Sequence, residues 1–321
     1  MKTARFQTEL ARMEAGQALY QGIMEALGYI KNKRPFLELS RKSPLQTLEA
    51  IVIRLSSLSS NEERLARQQT LLFGTAGLLP SQSQNSRLEN LANRWVNELE
   101  MRWASSGHTA AISAGDWHLF KVRPNNSPLR RMAAVSHIVL RYQGKDILRE
   151  MVKMVAEASF GKLHGLASPL IVTSDGYWVS HFDFGPYRTN RNPTLIGAGR
   201  AADIVVNVVL PLTFAWSKIS SQPEPGRKAI TLYRHHPRLA SNTLERHMRE
   251  QFGRSGFRVN SAGQQQGLIH LYHIRCIQGK CYGYPLSQPE PGNHVEVQTG
   301  SFTGAEPVVT AGGNHSGIIG T

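Results

Sequence analysis

The segment GRAADIVVNVVLPLTFAW, residues 199–216, decides the fold class of this chain. It is apolar almost all round, which is typical of an element buried on every side. Its length, together with polar Asp203 and Asn207 four residues apart on one helical face, favours a helix over the competing buried strand. We therefore predict a central buried helix over residues 201–216, kinked at Pro211.

Shorter helices are predicted on both sides of the central one. Apolar residues recur at the spacing of one helical face in each, and Ser-Pro at residues 43–44 and 127–128 and Asn61 are typical helix starts. The predicted helices span residues 6–27, 43–55, 61–73, 86–103, 128–142, 146–160, 228–234, 242–252 and 267–276. The fold class we predict is mainly α, a multi-helix globular domain.

Three stretches do not fit the helical pattern. LIVTSDGYWVSHFDFG at residues 170–185 is rich in β-branched and aromatic residues around an Asp-Gly pair, which predicts a short β-hairpin or an irregular excursion. KNKRP at residues 31–35 predicts a turn that stops the first helix, and QPEPG at residues 222–226 predicts a linker.

Composition divides the chain into three parts. Residues 1–110 form an N-terminal helical region, and residues 111–287 form a central and C-terminal helical region that we expect to continue the same domain. From residue 288 to residue 321, Gly, Pro, Ser and Thr accumulate and the periodicity stops. Such a segment buries too little apolar surface to offset its ordering entropy, so we predict a disordered tail.

Charge is the first property that bears on function. The chain has 37 Lys and Arg against 23 Asp and Glu, a net charge of +14 and a pI near 10.1. The tail contains three Glu and no Lys or Arg, so the 37 cations and the remaining 20 acids give residues 1–287 a net charge of +17. A field of this sign attracts nucleic acid. The same charge is equally expected of a protein that binds an acidic protein partner, or of one whose basic surface is simply solvated.

The sequence also bears on membrane association, cellular compartment and known catalytic motifs. No run approaches eighteen uninterrupted apolar residues, so we expect no membrane partner, and the N-terminal residues lack the apolar core of a secretory signal. Two cysteines and no export signal predict a cytoplasmic protein without a structural disulfide. Phosphate-loop, zincin and hydrolase-elbow motifs do not occur in the sequence.

RPNNSPLRR, which contains Arg123, Arg130 and Arg131, is the first candidate anion site. The N-terminus of the helix predicted at residue 128 offers free N–H groups and the positive end of the helix dipole, and arginines beside it make a phosphate or carboxylate cradle. The alternative is structural: Arg123 braces the carbonyls of the turn, and the other two are surface charges.

A second candidate anion site lies in YRHHPRL and TLERHMREQFGRSGFR, residues 233–239 and 243–258. Their arginines, interleaved with Tyr233 and Phe257, suit a groove that follows a nucleic-acid backbone. Glu245 and Glu250 support the alternative of a solvated face laced with ion pairs. The arginines concerned are Arg234, Arg238, Arg246, Arg249, Arg254 and Arg258.

The predicted hairpin also contains a candidate metal or acid/base cluster. Asp175, His181 and Asp183 are residue types that bind metals or exchange protons, and the His-x-Asp spacing puts two of them on one face of a strand. A turn aspartate and a hairpin polar pair are the favoured interpretation, because a single triplet of this kind is a weak signal.

HLYHIRCIQGKCYGY, residues 270–284, holds both cysteines. On a helix His270, His273 and Cys276 share one face, so with Cys281 they form a candidate zinc or iron–sulfur site. The favoured alternative is a partly packed helix face without metal, because two thiolates fall below the usual ligand count. We accordingly expect no cofactor.

Five ordered blocks carry a family resemblance. The blocks are ALYQGIMEALGYIKNKRPFLELS (18–40), LLFGTAGLLPSQ (71–82), FKVRPNNSPLRRMA (120–133), GRAADIVVNVVLPLTFAW (199–216) and QQQGLIHLYHIRC (264–276). Across most of residues 4–287 they resemble, in this order, the bacterial family called domain of unknown function 2851, in the version seen in Chloroflexi-like bacteria.

The resemblance implies two departures from the family pattern. Members usually carry a further N-terminal half, rich in strands, acids and histidines, that looks like a nuclease core. This chain then corresponds to the C-terminal portion, with the missing half as a separate partner chain and any metal-binding carboxylates located there. Members also often read C-x4-C-x2-C-P, whereas Tyr284 stands here in the place of the third cysteine.

Together these observations predict a basic helical module that binds nucleic acid, or an accessory module, in a nuclease-like family. A scaffold that docks an acidic protein partner is one alternative. A metal-dependent enzyme, with its site around His181 and Asp183 or around the cysteine stretch at residues 270–284, is the other.

Overall fold

The apolar segment forms one continuous helical run, residues 198–219, in the structure, a computed structural model. The structure describes residues 2–54, 59–82, 93–120, 123–185, 193–252 and 258–277. Within these ranges the chain is helical, with isolated β-bridges at Val172–Ile196 and Pro237–Ser261 and no strand. The predicted mainly α fold class is confirmed.

The α-helices follow one another in short lengths joined by turns. They are α1 (Lys2–Leu10), α2 (Ala15–Leu27), α3 (Lys33–Lys42), α4 (Leu45–Arg54), α5 (Asn61–Thr75), α6 (Arg94–Ser105), α7 (Pro128–Arg141), α8 (Ile147–Glu157), α9 (Ala198–Ile204), α10 (Leu210–Ile219), α11 (Pro223–His235), α12 (Thr243–Gln251) and α13 (Ala262–Leu271). Two π turns, Val205–Val209 and Tyr272–Cys276, extend α9 and α13.

The helical run widens where Pro211 interrupts its hydrogen bonds. Proline has no N–H to donate four residues back, and its ring crowds the carbonyl there. The chain responds with the π turn Val205–Val209, in which the N–H of Leu210 reaches the carbonyl of Val205. The predicted kink therefore takes the form of a local widening, and Asn207 lies in the middle of it.

This central run organises the main core. α10 packs against α1, α8 and α11, and α2 packs against the π turn. The core contains residues from Phe6 to Leu232, so both predicted helical regions contribute to it. By length and composition residues 198–219 could cross a membrane, but 61% of the most apolar window is buried inside the protein, as in a core helix.

Several predicted boundaries shift. KNKRP and QPEPG, predicted as a turn and a linker, supply the first turns of α3 and α11. Proline is tolerated in the first helical turn, where its missing N–H has no intrahelical partner, so neither proline stops a helix there. The cap of α5 is Ser60 and not Asn61: its hydroxyl accepts the N–H of Glu63 at 3.2 Å.

Of the two alternatives predicted for residues 170–185, the β-hairpin is wrong and the irregular excursion is correct. A 3-10 turn at Phe160–Leu170 leads into the segment, which itself forms a 3-10 turn at Gly176–Val179 and the β-bridge Val172–Ile196. Gly176 adopts φ +47, and the carbonyls of Trp178 and His181 accept hydrogen bonds from the buried Arg130 side chain. Because those carbonyls bond to a guanidinium, they are not available to a second strand.

Some predictions fall outside the described residues. These are the beginning of the helix predicted from residue 86, Cys281 and Tyr284, and the tail at residues 288–321.

A matched pair of helical glycines tests the packing around the π turn. A Cβ on Gly22 of α2 would lie 2.6 Å from Val208 Cγ1 and 3.3 Å from the Phe6 ring, whereas nothing lies within 4 Å of one on Gly267 of α13. Gly22→Ala should lower the free energy of unfolding by about 1–3 kcal/mol through overpacking. Gly267→Ala should raise it by about 0.5–1 kcal/mol. Urea unfolding measures both, and equal effects would contradict the close approach of α2.

Candidate nucleic-acid interface

Tyr29, just beyond the end of α2, has an unusual backbone and several polar contacts. Its φ is +52, in the left-handed region that residues other than glycine rarely adopt. Its hydroxyl donates to Asn126 Oδ1 at 2.7 Å and accepts from Arg131 Nη2 at 3.1 Å. Arg200 places its Cζ 3.4 Å from the centre of the Tyr29 ring, a close cation–π contact. Tyr29 thus joins the starts of α7 and α9 to the end of α2.

A second set of hydrogen bonds lies three residues further along the chain. Asn32 Nδ2 donates to the carbonyl of His118 at 3.0 Å, and the N–H of His118 donates to Asn32 Oδ1 at 2.8 Å. The Lys31 ammonium lies 3.0 Å from His118 Nε2. These bonds hold the turn before α3 beside the chain that leads to α7. We refer to Tyr29, Asn32, His118, Asn126, Arg131 and Arg200 as the Tyr29 junction.

The three stretches that meet at the Tyr29 junction contain no acids. No Asp or Glu occurs between Glu25 and Glu38, between Asp116 and Asp146, or between Asp183 and Asp203. Sequence reasoning selected only the arginines of the middle stretch. The missing acids were the signal that could have identified all three stretches, although not their convergence.

Arg131, which belongs to this junction, and its neighbour Arg130 are both buried, with 4% and 0% exposed. Arg130 donates to the carbonyl of Trp178 at 2.7 Å and to those of His181 and Pro193. Arg131 donates to the carbonyl of Leu195 and to Asn126 Oδ1. The predicted structural alternative is wrong in its assignment: Arg130 and Arg131, expected there as surface charges, are buried and bond to carbonyls, whereas Arg123, expected to brace the turn, is exposed. Anion binding by the three stays a prediction, and Arg123 is the accessible one.

The buried charges of Arg130 and Arg131 lack acidic partners. Among the described residues no carboxylate lies within ion-pair distance of either guanidinium. Burial lowers the pKa of Arg130 to about 10, with Arg131 contributing, and burial together with Arg200 lowers the pKa of Arg131. Arg200 lies 3.2 Å from Asp203 Oδ2. Of these three neighbouring guanidinium groups, Arg200 is therefore the one that has a carboxylate partner among the described residues.

Lys2 extends the positive region to the π turn. Its ammonium donates to Asn207 Oδ1 and, at 2.8 Å, to Gln266 Oε1. Burial, together with repulsion from Lys33, lowers the pKa of Lys2 from 10.5 to about 8, against the opposing attraction of Glu25 and Asp203. Burial raises the pKa of Asp203, which Arg200 and Lys2 oppose. Lys2 is thus held in the same positive environment as the junction.

Accessible cations surround the Tyr29 junction. Lys31, Lys33, Arg34 and Arg123 are all exposed. They stand on two of the acid-free stretches, and the Asn32–His118 bonds hold those two stretches together. These bonds therefore bring together the chain segments that carry the four exposed cations, and we call the surface of those segments the positive face.

The second predicted arginine group is partly neutralised. Glu245 of α12 is fully buried, and its Oε1 lies 3.6 Å from both Arg238 Nη1 and Arg249 Nη1. Arg234 and Arg246 are exposed. The pairing with Glu245 agrees with the predicted alternative of a face laced with ion pairs. Of the other two arginines, Arg258 is exposed and Arg254 lies outside the described residues.

The predicted polar triplet does not assemble. Asp175 Oδ1 lies 3.2 Å from His137 Nε2, which lowers the pKa of Asp175. His181 stacks on Tyr177 with ring centres 3.9 Å apart. Asp183 accepts the N–H of Gly185 at 2.7 Å, as a turn aspartate does. Each residue therefore has a separate local partner.

The cysteine stretch is described only in part. His270 and His273 are exposed, and Cys276 is half-buried with its Sγ 3.9 Å from Met248 Sδ. Within the described ranges no group of three or more His, Cys, Asp or Glu is placed to hold a metal ion. The zinc or iron–sulfur site predicted with Cys281 remains a prediction, since that cysteine lies outside those ranges.

Comparison with known proteins identifies one family. The family described as "Protein of unknown function (DUF2851)" matches residues 1–240. This range includes four of the five blocks that carry the resemblance and leaves out the block at residues 264–276. No curated protein and no solved structure matches the chain.

Arg130→Met tests the structural role of the buried guanidinium. The carbonyls of Trp178, His181 and Pro193 lose a shared donor, so the free energy of unfolding should fall by at least about 3 kcal/mol. Arg123→Met, at an exposed position seven residues earlier, should change it by less than about 0.5 kcal/mol. Urea denaturation followed by tryptophan fluorescence distinguishes the two, and a loss below about 1 kcal/mol for Arg130→Met would contradict its bracing role.

Lys2 should give the protein a measurable pH dependence. Between about pH 8 and 10 the unfolded chain binds a proton on Lys2 that the folded chain does not, so stability rises with pH in this window. We subtract the free energy of unfolding of Lys2→Met from that of the wild type. This difference should increase with pH, by at most about 1.4 kcal/mol per pH unit. Lys145→Met, on the exposed loop after α7, controls for loss of a lysine. A difference that stays flat or falls would contradict the burial of Lys2.

Proposed function

The chain belongs to the DUF2851 family, and we propose that it binds nucleic acid through the face built on the Tyr29 junction. The observation that carries the proposal is the convergence of three acid-free stretches on one tyrosine. Their exposed cations are Lys31, Lys33, Arg34 and Arg123.

The buried arginines strengthen the potential of this face. A charge in the protein interior is screened less by water and salt than a charge at the surface. Arg130 and Arg131 have no carboxylate partner among the described residues, so their positive charge is not cancelled locally. It adds to the potential of the exposed cations and raises the local concentration of a polyanion.

The junction also fixes the positions of the exposed cations. The Asn32–His118 pair and the contacts of Tyr29 hold the turn before α3 and the approach to α7 in one arrangement. Cations on a fixed backbone lose less conformational entropy on binding than cations on flexible tails. A nucleic-acid backbone, which carries a charge at every nucleotide, can engage several of them at once.

In this proposal the chain acts as a module that holds nucleic acid. Contacts with phosphates would position the substrate without reading its sequence. The net charge of +17 over residues 1–287 suits such a role.

The direct test is a binding titration of the purified chain with DNA and RNA at about 50 mM and about 200 mM salt. Affinity should fall steeply between the two concentrations, because each phosphate contact releases counterions. Lys31→Glu/Arg123→Glu should weaken binding at least about tenfold and reduce the salt slope by about 2, one for each lost phosphate contact.

The matched control is Lys145→Glu/Arg149→Glu, with the same change in net charge. Both positions are exposed and lie beyond the C-terminal end of α7. That end is about 21 Å from the junction at the N-terminus, given the 14 residues of α7. The control pair should keep most of the affinity. Equal losses in the two double variants would contradict the location, and no salt-dependent binding would contradict the function.

A further inference from the structure

We infer that the nucleic acid bound at this face is single-stranded, and that Phe120, with Leu119 and Ile30, forms a platform for its unpaired bases. The inference rests on the proposed function and names the substrate class of the same face.

The first observation is the exposure of these three side chains. Ile30 is 90% exposed, Leu119 52% and Phe120 72%. Nine large hydrophobic residues in the described part of the chain are exposed, and these three lie within two residues of the Asn32–His118 hydrogen bonds. Phe120 is the one aromatic ring among the nine. Three of these nine residues, including the aromatic one, thus belong to the segments that the Asn32–His118 bonds join.

The second observation is how firmly the platform is anchored. Trp117, three residues before Phe120, is buried and donates its indole N–H to the carbonyl of Ala76 at 2.8 Å. Its ring meets Phe36 edge to face, with centres 5.2 Å apart. His118 is then held by Asn32. The chain therefore passes from a fixed core tryptophan to an exposed phenylalanine within three residues.

The chemistry of this arrangement suits unpaired bases. A base presents a π face that stacks on an aromatic ring whatever its identity, while its phosphates seek cations. Lys31 directly follows Ile30, Arg123 lies three residues after Phe120 in the sequence, and both cations are exposed. In a duplex the bases are already stacked and paired, so their faces cannot reach a side chain on the outside of the helix. A platform beside cations thus favours a single strand.

An acidic protein partner fits the platform less well. Such a partner would use the cations but would not need an exposed aromatic ring among them. Protein interfaces of the apolar kind are also depleted in lysine at their centres. Here Lys31 is immediately adjacent to Ile30 and bonded to the His118 ring. Cations beside exposed apolar and aromatic side chains are typical of surfaces that bind single-stranded nucleic acid.

The experiment compares three ligands by fluorescence anisotropy: oligothymidylate of about 20 nucleotides, a duplex of the same length, and inorganic polyphosphate as a competitor without bases. The wild type should bind the single strand more tightly than the duplex. Phe120→Ala should lose about 5- to 150-fold in affinity for the single strand. Its affinity for the duplex and the degree to which polyphosphate competes should stay as in the wild type. Phe120→Trp should retain the affinity, because it retains a π face.

The matched control is Ile219→Ala. Ile219 is exposed to a similar degree as Leu119, at the last position of α10. It lies about 29 Å along the helical run from Arg200, so its removal should not affect binding. Circular dichroism melts should be the same for all variants, since the side chains removed are at the surface.

The inference is overturned if Phe120→Ala binds the single strand as the wild type does, or if the duplex binds as tightly as the single strand. A Phe120→Leu variant with full affinity would also overturn it, because leucine retains apolar contact without a π face. In each of these cases salt-dependent binding would leave the proposed function standing. Absence of binding to every nucleic acid would instead refute the proposed function itself.

Discussion

The buried guanidinium groups of Arg130 and Arg131 are the interactions on which the rest of this face depends. In the described residues 171–185 and 193–197 the chain forms few regular hydrogen bonds of its own, so its carbonyls need donors from elsewhere. The first turn of α7 supplies them, because a guanidinium carries five N–H groups in a rigid fork. One side chain, Arg130, thus holds the three carbonyls of Trp178, His181 and Pro193.

This solution places positive charge in the interior. Carbonyl oxygens satisfy the N–H groups without neutralising the guanidinium, and Asp203 is the carboxylate that the structure places beside Arg200. Burying uncompensated charge costs stability. The left-handed backbone of Tyr29, at the point where these arginines meet α2, adds further strain. Strain and uncompensated charge at one place are a physical reason to look there for a ligand of opposite sign.

Helical periodicity made much of the fold predictable. The central helix was identified from its apolar composition, and its distortion from Pro211. Errors arose where local signals were ambiguous. Prolines 35 and 223 resembled helix stops but stand in first turns, where proline is tolerated. The segment at residues 170–185 has the composition of a hairpin, yet its carbonyls are taken by an arginine forty or more residues earlier. No local pattern shows such a partner.

The candidate site was predictable in its charge and not in its geometry. Arg123, Arg130 and Arg131 were selected together, but burial separates the exposed first from the other two. Tyr29 and Asn32 carry no motif, and their importance arises only from contacts about 90 to 170 residues away in sequence. Long-range convergence of this kind is a property of the fold.

The central claim is that nucleic acid binds at the Tyr29 junction, and amide hydrogen exchange with and without saturating oligothymidylate tests it most directly. Peptides that cover residues 28–34 and 117–131 should gain protection, because the bound strand covers their backbone and stabilises the junction. Peptides that cover residues 234–252 should change little, since Glu245 already pairs Arg238 and Arg249 there. Protection confined to residues 234–252, or none anywhere under conditions of full binding, would contradict the account.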